Sequence, residues 1–281
     1  MLRVCIKPTT FDIFDFQESQ NNYIHSKIKV NKKKVTSQHD TLLKAFDHSK
    51  VISYIISKPQ DILPDIVFVA NGGVCLPRIP KTILLPSMKY AQRQAELPYL
   101  MEIYKDLCLE MIPPLKEVFE GQAEIKWFHD GTKAIGAYGF RSTKKSFDVL
   151  EKKLEKIYKS HGLEPPKILA VPLEHPDYYH LDVAMLEFND SQCIVHKRAF
   201  SDASVKKMQN FLGKDAVHII DVKDSFCLNA VVDEEHLITH SLETPVKKLL
   251  ESITGKKIKE VDTGEFEKSG GSVRCMTLDV Y

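Results

Sequence analysis

Five times along the chain an apolar stretch, a turn and a second apolar stretch follow one another, and this repetition constrains the fold more than any other feature. The copies start at Asp65 (followed by IVFVANGGVCL), Glu124 (IKWFHDGTKAIGAYGF), His180 (LDVAMLEFNDSQCIVH), Leu228 (NAVVDEEHLITH) and, cut short by the C-terminus, Ser272 (VRCMTLDVY). Their tips carry NGG, DG, ND and DEE, the residue types that reverse a strand. Between them, apolar residues recur at helical spacing over 38–47, 89–111, 144–161, 202–212 and 244–253. Short β segments, VISYII, KILAVP and AVHIIDV, lie beside these helices. One such unit cannot bury its own faces, so the copies must close on each other as a ring of ββαβ modules, an α/β propeller. A doubly wound sheet competes but leaves the paired strands unexplained.

A length of 281 residues allows one large domain or two small ones, and no Pro- or Gly-rich linker divides the chain, so 1–281 reads as a single domain. With 39 basic against 38 acidic residues the net charge is +1, which removes the electrostatic case for a nucleic-acid or anionic-membrane partner. No apolar run is long enough to span a bilayer, and the first residues lack the apolar core and cleavage site of a secretory signal. Six scattered cysteines (Cys5, Cys75, Cys108, Cys193, Cys227, Cys275) form no CxxC pair, so neither a disulfide framework nor a zinc site is expected. Free thiols in a reducing cytoplasm follow, five of them as small packing residues. Lys32, Lys33 and Lys34 read as a solvated loop.

Polar residues at equivalent places in the copies are the candidates for chemistry: Asp65 and Asn71, Glu120 just before the second copy, His180 and Asp182 opening the third, and Cys275 in the last. A thiol, an imidazole and a carboxylate on separate strands are the parts of an activated nucleophile. Gly270 and Gly271 would let backbone approach a small substrate. Taken alone, a Cys in an apolar C-terminal strand is more often a core residue than a nucleophile, and a His at a strand start more often capped or surface-exposed than catalytic.

What ties them together is a resemblance. PDIVFVANGG is similar to the D-x-V-F-x-x-D/N motif of the guanidine-modifying (pentein) superfamily, FEGQAE to its F-E-G-x-G-D, HLD to its H-L-D, and SGGSVRCMT to its G-G-x-x-x-C-x-T. GFRS resembles, more loosely, the stretch ending in R-T. The motifs occur in family order between residues 65 and 277. The superfamily comprises arginine deiminases, dimethylarginine dimethylaminohydrolases, glycine amidinotransferases and arginine dihydrolases, and its fold is a propeller of five ββαβ modules.

The resemblance implies roles residue by residue. Cys275 aligns with the nucleophile, His180 with the general acid/base, and Glu120 with the carboxylate paired to it. Asp182 aligns with a carboxylate gripping the guanidinium, and Asp65 and Asn71 with the other substrate-facing positions. Arg93 (in AQRQAE) and Arg141 match arginines that hold the substrate's α-carboxylate, and Asn22 in NNYIH an asparagine near the substrate. No metal or organic cofactor is implied; the partner is a small guanidino compound such as L-arginine, and a homo-oligomer is compatible with this reading.

Departures from the pattern select among reactions. Deiminases and dimethylarginine hydrolases carry an acid where this sequence has Asn71, and Asn there resembles the arginine dihydrolases, which convert arginine through a citrulline-level species to ornithine, ammonia and carbon dioxide. The V-R-C context of Cys275 points the same way, whereas Ala123 and Glu124 depart from the second Gly and final Asp of F-E-G-x-G-D. An arginine deiminase or dimethylarginine hydrolase, an amidinotransferase and a non-catalytic pentein scaffold are the alternatives.

Overall fold

The computed structural model describes residues 1–13, 23, 29–57 and 59–281. Its strands form five separate three-stranded sheets. The first blade consists of Val74–Cys75, Thr82–Leu84 and Glu110–Ile112, the second of Ile125–Phe128, Lys133–Tyr138 and Lys167–Pro172, and the third of Met185–Glu187, Cys193–His196 and Val217–Ile220. The fourth contains Val231–Asp233, His236–Thr239 and Lys257–Glu260. In each, the middle strand pairs antiparallel with the one before it and parallel with the one after, so a helix must carry the chain across the last step. This is the ββαβ module expected from the repeat.

The last copy is not truncated, as the sequence suggested. Leu278–Val280 pairs antiparallel with Leu2–Ile6, which runs parallel to Lys50–Tyr54, so both ends of the chain build the fifth blade. The registration Leu2↔Val280 and Val4↔Leu278 places Val4, Leu278 and Val280 in one buried cluster. A second difference lies at the start of each copy. IVFVANGG is not a strand but a turn leading to a 3-10 segment, Val69–Gly72; Gly121–Glu124 is likewise 3-10, and Leu181–Ala184 is a single helical turn. Each inner strand is therefore short and preceded by a turn.

Those turns meet at the axis, and hydrogen bonds link them in a circle. Gln122 N donates to Gly73 O (2.8 Å), Arg274 N to Asn229 O (3.3 Å) and Ala70 N to Cys275 O (3.0 Å). The remaining two links are made by side chains, His180 Nε2 to Glu120 Oε2 (2.7 Å) and Asn229 Nδ2 to Asp182 O (3.0 Å). The approach is close enough that Gly121, at φ +64, has no room for a side chain: a Cβ there would lie 2.5 Å from Gly73 O.

The helices cover the outside of the ring. In Lys144–Ser160, Phe147, Leu150, Leu154 and Tyr158 recur at three- to four-residue spacing and form the buried face, and a capping box between Thr143 and Ser146 starts the helix. Burying each such side chain contributes about 1.5–3 kcal/mol. Asp202–Leu212 and Thr244–Thr254 match their expected spans, but Lys32–Ala45 starts earlier than the apolar spacing indicated. Lys32, Lys33 and Lys34 thus form an exposed first turn of helix rather than a loop, capped by Asn31 Oδ1 accepting from Lys34 N at 3.2 Å. Cys5, Cys75, Cys193 and Cys227 are buried as expected, but Cys108 is exposed. No helix among the described residues is long and apolar enough to cross a membrane.

Candidate active site

Cys275 sits in the turn that opens the fifth blade, 4% exposed. Its neighbour across the axis is Asn229. The backbone N–H groups of Arg274 and Cys275 donate to Asn229 Oδ1 at 3.0 and 3.2 Å, which fixes the amide and leaves Nδ2 3.1 Å from Cys275 Sγ. Asp182 Oδ2 lies 3.4 Å from the same sulfur, while Asp182 Oδ1 is buried without a partner among the described residues. Burial pushes the Cys275 thiol well above its ordinary value, and the Asp182 carboxylate adds to that. Burial likewise raises Asp182, with His180 and Lys126 opposing. In the absence of a cation the sulfur is held as a thiol.

His180 Nε2 is 2.7 Å from Glu120 Oε2. Burial tends to raise Glu120, but Arg141, His180 and Arg93 outweigh it and hold the carboxyl far below its usual range. Glu120 is therefore ionised, and the Nε2 proton points at it. Burial pulls His180 below its ordinary value, with Glu120 offsetting part of the effect. Behind this pair Glu124 accepts from Glu120 N (2.9 Å) and Ser142 N (3.1 Å). Burial and the Glu120 charge push it up to about 8, so the two carboxyls titrate far apart.

The rim supplies arginines and aromatics. Arg141 is sandwiched between the rings of Tyr90 (4.8 Å) and Tyr179 (4.9 Å), its Nη1 3.5 Å from Glu120 Oε2. Arg93 forms a two-pronged ion pair with Glu96, Nε to Oε1 at 2.8 Å and Nη2 to Oε2 at 2.9 Å. It also donates to Phe68 O (3.1 Å) and to Asn71 Oδ1 (2.9 Å). Asp65 Oδ1 accepts from Ser269 Oγ at 3.2 Å, and burial raises its carboxyl. Gly271 is packed so tightly on Phe68 that a Cβ would fall 2.3 Å from the ring.

Asp65, Asn71, Arg93, Arg141, His180 and Cys275 line one pocket of about 30 Å³, with Glu120 and Asp182 bonded to its wall. Asn22 lies outside the described residues. Asn229, Tyr90 and Tyr179 belong to the site, with Glu96 behind Arg93, and none of them was read as a site residue from the sequence. A positional signal existed for part of this. Asn71, Gln122, Asp182 and Cys275 each stand three residues before their inner strand, and Asn229 two before its own. Among the described residues no group of three His, Cys, Asp or Glu side chains could hold a metal.

A family model described as N,N dimethylarginine dimethylhydrolase, eukaryotic, matches residues 7–281. The chain belongs to this family. Membership bears out the resemblance to the guanidine-modifying superfamily and makes the chain a member of a hydrolase family. An uncharacterized protein, ZK1307.1, of Caenorhabditis elegans is 26% identical over 89% of this chain and 84% of its own. The bifunctional arginine dihydrolase/ornithine cyclodeaminase ArgZ of a Synechocystis strain is 24% identical over 96% of this chain, which spans only 36% of that protein. The crystal structure of the N-terminal domain of ArgZ with a covalently bound reaction intermediate superposes with a TM-score of 0.85 at 22% identity, covering 100% of this chain and 97% of that one. The five-module propeller is thus the shared fold.

Proposed function

We propose that the protein hydrolyses the guanidino group of L-arginine through a covalent thiouronium on Cys275, and that it is an arginine dihydrolase formed by one catalytic domain over 1–281. The observation that carries this reading is the placement of Cys275, His180, Asp182 and an amide, Asn71, around one buried pocket. A guanidinium is cationic and a poor electrophile, so carboxylates must orient it. Asp182 and Asp65 supply them, and Arg141, with its Nε unpartnered, is the candidate anchor for the α-carboxylate. Arg93 has one Nη1 hydrogen left for the same purpose.

Entry of the cation offsets the Asp182 charge and draws the Cys275 proton to His180, which burial keeps neutral and Glu120 keeps oriented. Sγ bonds to the guanidinium carbon, the bond to a terminal nitrogen breaks, and ammonia leaves with the proton from His180. Water then gives a proton to His180 and bonds to carbon as the C–S bond breaks, yielding a ureido group. A second round expels a second ammonia, and hydrolysis of the thiocarbamate leaves a carbamic acid that divides into ornithine and carbon dioxide. Two waters are consumed per arginine.

The family model favours a second reading, single-step removal of dimethylamine from dimethylarginine. Product analysis separates the two. Two ammonia per ornithine from L-arginine supports the dihydrolase. Citrulline and dimethylamine from dimethylarginine, with arginine untouched, supports the alternative. Absence of turnover on both overturns the enzymatic assignment.

A further inference from the structure

Asn71 is 3% exposed, and the direction of its side-chain amide is dictated by its neighbours. A guanidinium has donors only, so the atom 2.9 Å from Arg93 Nη1 must be the amide oxygen. The NH2 group therefore points the other way, 3.3 Å from His180 Nε2. That nitrogen cannot accept from it while its own proton is given to Glu120 at 2.7 Å. The result is a buried NH2 group at the pocket wall with no acceptor among the described residues, an arrangement that costs stability until a ligand supplies one. A guanidinium offers no acceptor there; a ureido group offers its carbonyl oxygen.

Arg93 imposes this orientation because Arg93 itself cannot turn. Glu96, 1% exposed, takes Nε and Nη2 on its two oxygens, and Phe68 O takes another Nη2 hydrogen. What remains, Nη1, is aimed at Asn71. We infer that Glu96 is a positioning residue which, through Arg93, keeps the Asn71 NH2 facing the pocket, and that this orientation holds a ureido species for the second hydrolysis instead of releasing it. The inference rests on the dihydrolase reading and extends it to a residue that does not line the pocket. Without the fork of Glu96, Arg93 is free to rotate, and the amide can present its oxygen, which suits the cation and not the neutral species.

The test compares ornithine with free citrulline from L-arginine in the wild type, Glu96→Gln, Glu96→Asp and Arg93→Lys, with thermal unfolding recorded for each. Glu96→Gln should lower the ornithine-to-citrulline ratio about tenfold, a larger change than the one in the rate of first ammonia release. Glu96→Asp, which keeps a charged acceptor, should recover part of the ratio. Arg93→Lys, which keeps the charge and loses the fork, should lower it as Glu96→Gln does. An unchanged ratio, or equal loss of both steps alongside a lower unfolding temperature, means Glu96 is only structural and overturns the inference while the dihydrolase reading stands. If the wild type forms no ornithine, that reading fails, and the inference with it.

Discussion

Two sets of buried charges flank the ring of axial turns, and they are arranged by opposite rules. Adjacent residues divide between them: Cys275 lines the small pocket, whereas Arg274 lines a cavity of about 230 Å³ on the other side. There the charges alternate in a chain. Lys126 Nζ lies 2.8 Å from Glu187 Oε2, Glu187 Oε1 3.3 Å from Arg274 Nη2, and Arg274 Nη1 2.8 Å from Asp279 Oδ2, which in turn pairs with Arg3. Arg3 ends the chain on Ser49 Oγ (3.0 Å) and Val232 O (2.6 Å). In the pocket, by contrast, Asp182 Oδ1 has no partner among the described residues, and the Asn71 NH2 faces His180 Nε2, whose proton goes to Glu120. Paired buried charges hold a structure together, whereas unspent ones wait for a ligand. The chain of pairs around the larger cavity suits a structural role, and the smaller pocket is the proposed site of the chemistry.

Substitution on each side should separate those roles. Cys275→Ala should reduce turnover by at least about a thousandfold, as expected for loss of a covalent nucleophile, with the unfolding midpoint almost unchanged; a steady-state assay and a thermal melt decide this. Arg274→Met, one residue away, leaves Asp279 and Glu187 short of a partner and should cost about 3–5 kcal/mol in urea unfolding. An Arg274 variant as stable as the wild type would break the contrast.

His240 sharpens it from another side, since it is a paired charge near the pocket loops. Its Nε2 lies 2.9 Å from Asp224 Oδ2 and its Nδ1 3.1 Å from Glu267 Oε1. Burial opposes its charge, but these two carboxylates prevail and raise the imidazole to about 9. Because the folded value lies above the unfolded one near 6.5, the stabilisation is complete below pH 6.5 and fades as pH rises through about 9. It amounts to something on the order of 3 kcal/mol. His240→Gln should flatten the decline in stability across that window, measured by denaturant titration at several pH values. The smallest effect is expected from Asn71→Asp, which should shift product from ornithine toward citrulline by about tenfold, or ~1.4 kcal/mol, without altering stability in the same direction as Arg274→Met. An equal ornithine yield from it would remove the dihydrolase argument.

The blades were legible because their period-two and helical spacings are local. KILAVP and the helix Asp202–Leu212 fall where the residues alone place them. The fifth blade was not, because no local pattern announces that Leu2–Ile6 pairs with residues at the other end of the chain. IVFVANGG looked like strand because its apolar run is strand-like, yet the axial packing around Gly72, Gly73 and Gly121 turns it into a 3-10 segment. The motif residues were legible as types and order. Asn229 was not, because its bonds to the Arg274 backbone and its second arm against the sulfur both depend on the turn of another blade. Glu96 was hidden in plain helix spacing, three residues after Arg93, where an ion pair is ordinary and says nothing about what the arginine's far side touches.

The closure of the fifth blade also governs when the protein can first work. Leu2–Ile6 and Leu278–Val280 can meet only after the long segment between them has been gathered, which makes their pairing a contact of very high order and a slow one to form. Cys275 stands three residues before that closing strand, and the amide that orients it belongs to the blade next door. Four blades can assemble by largely local steps, but the proposed nucleophile is set against its neighbours only at the seam. A refolding chain should therefore regain far-UV signal before it regains activity, with the interval between them reporting the time needed to close the ring.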